Sequence, residues 1–122
     1  MSKLGVRMHL VAFTIQGCIE KPECSVITRR IIKAIGMSPV HYPTTYKYPV
    51  DGKGGIGYTY IQPISESFIA WDVWPAIDGA YLVICSCKRV NTSKVIRAVE
   101  ASGLIIKPQL KTKMGLKDAA KL

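Results

Sequence analysis

The chain has 122 residues, 48% of them hydrophobic and 20% charged, with 10 glycines and 7 prolines. That balance suits one globular domain around a single core and excludes disordered, collagen-like and low-complexity chains. Lysine and arginine outnumber aspartate and glutamate 17 to 8, a formal net charge of +9, which favours anionic partners but says nothing about fold.

No apolar run approaches the roughly 20 residues that cross a bilayer. Arg7, His9 and Gln16 interrupt the N-terminal apolar stretch, so neither a membrane span nor a signal peptide is expected, and a cytoplasmic location is.

In chain order, the first expected element is a strand over Met8–Ile15. Gly17 and Pro22 then break the chain, and Pro22 fits just inside a helix start. Ile27, Ile31, Ala34 and Ile35 follow at helical spacing until Gly36 ends the helix. His41–Tyr48, rich in Thr and Tyr but flanked and broken by Pro43 and Pro49, reads as an edge strand. Asp51–Gly55 reads as a loop.

Three strands are expected next, over Tyr58–Gln62, Ser67–Val73 and Ala80–Ser86, with chain reversals at Pro63 and at Pro75–Gly79. Asn91 is a good N-cap for a second helix carrying Val95, Ile96 and Val99, closed by Gly103. Leu104–Leu110 completes the order β-α-β-β-β-β-α-β. The expected fold is α/β, a two-layer sandwich of a mostly antiparallel sheet with two helices on one face. Residues 1–110 form its single domain, and 111–122 are a basic tail.

Several chemistries find no support. Gly52, Gly54, Gly55 and Gly57 lack the spacing of a phosphate-binding loop and lead into a strand rather than a helix. The two histidines, His9 and His41, fit no nucleophile elbow and no metal set. Cys18, Cys24, Cys85 and Cys87 match neither a zinc ribbon nor a redox pair; on a strand, Cys85 and Cys87 would share a face as small hydrophobes. Lys107, Lys111, Lys113, Lys117 and Lys121 suggest a solvated tail or a nucleic-acid arm, but no nucleic-acid reading motif accompanies them.

The informative stretch is Ile64-Ser65-Glu66-Ser67-Phe68-Ile69-Ala70-Trp71-Asp72-Val73-Trp74-Pro75. Singly, its parts have ordinary readings: Glu66-Ser67 as the start of a strand, Trp71 and Trp74 as core or interface residues, Asp72 as a salt-bridged acid, Cys87 as a buried thiol. Together, the Glu-Ser pair, the Trp-Pro pair and the spacing to Cys87 resemble the prokaryotic S-adenosylmethionine decarboxylase family. In that family the hallmark reads Ile-Ser-Glu-Ser-His, followed along the strand by His-Thr-Trp-Pro-Glu.

The resemblance implies a proenzyme that cuts itself between Glu66 and Ser67. The Ser67 hydroxyl attacks the preceding carbonyl, and the resulting ester eliminates to leave a pyruvoyl group at the new N-terminus. That ketone is the electron sink a decarboxylase needs. Cys87 then aligns with the cysteine that reprotonates the substrate carbon, and Thr59 with a serine that assists cleavage. Phe68 and Asp72 stand where the family has histidines, so the Asp72 carboxylate is the available processing base. Ala76 replaces the glutamate after Trp-Pro, with Asp78 nearby to serve instead, and Lys53 falls where an aromatic is expected.

Trp74 and Tyr58 are the expected substrate-binding aromatics. The resemblance further implies polyamine synthesis, a homodimer or larger homo-oligomer whose subunits complete each other's sites, and S-adenosylmethionine as substrate. Two alternatives stay open. Related pyruvoyl enzymes of this fold decarboxylate arginine or ornithine, and an unprocessed homologue could bind or cleave an adenine ligand.

Overall fold

Alternation at period two builds a sheet with one greasy face. The computed structural model describes residues 7–49 and 55–115. Its elements are β1 (Arg7–Gln16), α1 (Lys21–Ala34), β2 (Thr44–Pro49), β3 (Ile56–Ile64), β4 (Ser67–Trp74), β5 (Gly79–Ser86), α2 (Thr92–Glu100) and β6 (Ile105–Gly115). The strands form one sheet in the order β2-β3-β4-β5-β1-β6, and every neighbouring pair is antiparallel. This is the expected two-layer α/β sandwich.

Val11, Phe13 and Ile15 of β1, Ile69, Trp71 and Val73 of β4, and Leu82 and Ile84 of β5 all point to the helix side and are buried. Ile27 and Ile31 of α1 and Val95 and Val99 of α2 cover them. Each such fully buried side chain contributes about 1.5–3 kcal/mol of transfer free energy. One polar chain crosses this core: the Trp71 indole N–H donates to Thr28 Oγ1 at 2.9 Å, and that hydroxyl donates to the Cys24 carbonyl at 2.7 Å.

Both helix ends follow their local chemistry. Gly36 takes φ +73° just past α1, a conformation that costs glycine nothing. The Asn91 side chain accepts from the Lys94 amide at 3.2 Å, satisfying one free donor at the start of α2. Arg30 ties the helices together by donating to the Ala98 carbonyl and the Ser102 hydroxyl.

Several boundaries differ from the sequence expectation: the edge strand starts at Thr44, after Pro43, rather than at His41, and two further differences bear on the site. The chain turns at Ser65–Glu66, not at Pro63, because Ile64 pairs directly with Ser67. Pro63 sits inside β3 beyond Ile61, where pairing with β2 has already ended, so its missing N–H interrupts no ladder. The last strand does not stop at Leu110. It follows β1 as far as Arg7↔Gly115, which makes Lys111 and Lys113 paired strand residues rather than tail. The expected loop residues 51–54, with Lys53, and the rest of the tail from 116 onward lie outside the described residues.

Candidate functional site

The β3–β4 hairpin presents the Glu66–Ser67 bond at one end of the sheet. Only Ser65 and Glu66 separate Ile64 from its partner Ser67, and Ser67 lies beside Ser86 of β5. Cys87, exposed, follows directly after β5. Its backbone N–H donates to the Glu66 carbonyl at 3.1 Å, so the carbonyl preceding Ser67 is already polarised by a fixed donor.

The rest of the hairpin is firmly held. The Glu66 carboxylate accepts from the Ser65 hydroxyl and pairs with Lys88 Nζ at 3.0 Å. The Ser65 hydroxyl, with help from Lys88, holds the Glu66 carboxyl below its ordinary range. Ser65 N donates to the Ser38 carbonyl at 2.8 Å. Buried Ser86 accepts from Lys88 N at 3.0 Å, fixing the backbone on which Cys87 rides.

A second group lies on the sheet face without helices. Thr59 and Asp72 are cross-strand partners, and the Thr59 hydroxyl donates to Asp72 Oδ1 at 2.5 Å. Tyr81 is opposite Asp72 on β5 and packs edge-on against Trp74, with ring centroids 5.4 Å apart and an interplanar angle of 87°. Asp78, in the left-handed region at φ 51°, closes the turn from β4 to β5 at the same end of the sheet.

The expected site residues therefore fall into two groups. Glu66, Ser67 and Cys87 meet at the hairpin; Thr59, Asp72, Trp74 and Asp78 gather towards the opposite end. Five residue steps along β4, about 17 Å, separate Ser67 from Asp72, and that odd spacing turns the two side chains to opposite faces. Among the described residues, the Ser67 hydroxyl has no side-chain hydrogen-bond partner. Tyr58 joins neither group: it is only 6% exposed in the core, where its hydroxyl donates to the Ile19 carbonyl at 3.1 Å, and burial raises its pKa. That face is set by the same alternation that buries Tyr60.

Three contributors escaped the sequence reading. Lys88 and Ser65 hold Glu66, and Tyr81 completes the ring pair. Strand register was the available signal for Tyr81, which is opposite Asp72. Among the described residues, no cluster of three or more His, Cys, Asp or Glu side chains is placed to hold a metal ion, and no helix is long and apolar enough to cross a membrane.

The chain matches no protein-family model and no curated protein sequence. Among solved structures it is similar to the crystal structure of the adenosylmethionine decarboxylase from Aquifex aeolicus VF5, with a TM-score of 0.51 and 15% sequence identity. The likeness covers 85% of this chain and 88% of that one, and shows a shared fold.

Proposed function

We propose that this chain is a self-processing, pyruvoyl-dependent decarboxylase that cuts its own Glu66–Ser67 bond and acts on S-adenosylmethionine in polyamine synthesis. The observation that carries the reading is the Cys87 N–H on the Glu66 carbonyl. In the cleavage, Ser67 Oγ adds to the Glu66 carbonyl carbon and negative charge builds on the oxygen that Cys87 already contacts. A preorganised donor of this kind stabilises such a charge by roughly 3–4 kcal/mol.

The carbon–nitrogen bond then breaks, giving an ester between Glu66 and the Ser67 side chain. Elimination releases the Glu66 carboxylate and leaves an unsaturated residue 67. Water replaces its nitrogen, which departs as ammonia, and a ketone remains. When formed, that group supplies an electron sink for loss of carbon dioxide. In this reading Cys87, whose N–H contacts the Glu66 carbonyl, returns a proton to the substrate carbon and Lys88 keeps Glu66 from wandering, while the Trp74–Tyr81 pair, at the other end of the sheet, takes no part around residue 67 of the same chain.

Asp72 and Thr59 are about 17 Å from Ser67 and face the other side of the sheet, so within one chain they do not reach its hydroxyl. The helix-free face suits a second copy of the chain. Ile61, Ala70, Val83, Ala12 and Leu110 form a continuous cross-strand row on it, and neither helix covers that row. Packing two such faces about a two-fold axis makes an isologous dimer with the Thr59–Asp72 pairs at its interface.

Ser67→Ala tests the mechanism directly: it should abolish both cleavage and carbon dioxide release from S-adenosylmethionine. Activity persisting in that variant would falsify the pyruvoyl reading.

A further inference from the structure

A groove runs along the helix-covered side of the β2 edge, between the first turns of α1 and the segment 39–43. Its two halves, about 640 and 630 Å³, share Ser25, Tyr42, Pro43 and Tyr60. That volume suits a small organic ligand. Tyr60 and Thr59 are adjacent on β3 and point to opposite faces, so the groove is separate from the Thr59–Asp72 group.

Its chemistry is one-sided. Arg29 stands in one half and Lys21 in the other, while among the described residues no acidic side chain lines either. The sole salt bridge among the described residues, Lys88–Glu66, uses neither cation. Tyr60 closes the bottom of the groove with its ring almost wholly buried. At the rim, the His41 and Tyr42 rings meet edge-on at 6.0 Å, and Tyr42 is 84% exposed.

Two polar groups complete it. Gln62 commits its amide nitrogen to the carbonyls of His41 at 2.8 Å and Pro63 at 2.7 Å, so its Oε1 is the atom left to meet a ligand, as an acceptor in fixed orientation. Ser25 adds a hydroxyl beside Tyr60. Burial raises the Tyr60 hydroxyl above its ordinary pKa, against the opposing pull of Ser25 and Arg29.

An exposed aromatic rim, one fixed acceptor and cations at both ends match a planar base bearing amino or imino hydrogens and an anionic group. We infer that this groove is a binding site for a nucleoside monophosphate, with the base against the exposed Tyr42 ring and the phosphate on Arg29 or Lys21. Arg29 is the better phosphate ligand because its guanidinium can donate two parallel hydrogen bonds.

The test is calorimetric titration of the full chain with the four ribonucleoside 5′-monophosphates, their nucleosides and inorganic phosphate. At least one monophosphate should bind more than about tenfold tighter than its nucleoside and than phosphate alone, a difference of about 1.4 kcal/mol. Arg29→Gln or Lys21→Gln should weaken it by about tenfold, and both variants should keep the wild-type circular dichroism, since both side chains are exposed. Ser67→Ala should leave the affinity unchanged, which separates this site from the processing reaction. Absence of binding, a nucleoside as tight as its monophosphate, or an affinity indifferent to both cation substitutions would each overturn the inference.

Discussion

Cys87 grips Glu66 through its backbone: its N–H lies 3.1 Å from the Glu66 carbonyl, so the residue expected to return a proton also polarises the bond expected to break. The two roles belong to different atoms and can be separated. Cys87→Ala keeps the N–H and should still cleave at close to the wild-type rate while losing decarboxylation. Cys87→Pro removes the donor and should slow cleavage by about 10²–10³-fold. Time-resolved intact mass with a carbon dioxide assay distinguishes the two, and equal cleavage rates would remove Cys87 N–H from the mechanism.

Glu66 gives the hairpin a pH dependence of defined sign. Its carboxyl is held below the ordinary value of 4.5, chiefly by the Ser65 hydroxyl and then by Lys88. A depressed folded-state pKa stabilises the fold fully above the unfolded value, and the contribution disappears as pH falls through the folded one. In an uncleaved Ser67→Ala background, thermal midpoints from about pH 6 to about pH 3 should therefore fall less steeply for Glu66→Gln than for the parent. Parallel acid limbs would show that Glu66 is not preferentially stabilised as a carboxylate.

Thr28 sits between Trp71 and Cys24 in the core. Thr28→Val keeps the volume but leaves the buried indole N–H without its acceptor, a cost of about 1–3 kcal/mol. Chemical denaturation should show that loss, with Ser67 chemistry unaffected. A neutral Thr28→Val would mean that the indole finds another partner.

Much of this architecture is legible in the residues. The alternation in β4 and β5, Asn91 as a cap and the proline-bounded β2 follow from local chemistry alone. β6 was harder, since Lys107, Lys111 and Lys113 suggest a solvated tail. Yet Leu110, Thr112 and Met114 alternate with those lysines, and the free edge of β1 supplies ladder partners through Gly115. Pro63 suggested a turn because its missing donor matters only where a strand is paired on that side.

The grouping of Glu66, Ser67 and Cys87 was legible from motif spacing. Splitting them from Thr59 and Asp72 required strand geometry, in which an odd separation reverses the face. Lys88 and Tyr81 came only with the register, because their partners are distant in sequence.

The most direct measurement is the intact mass of the purified protein under denaturing conditions, before and after long incubation. Self-processing yields two fragments, residues 1–66 and 67–122, the second with a blocked N-terminus that carries a ketone. A single undiminished species near 13.4 kDa would contradict it, leaving a protein that keeps the fold without generating the cofactor.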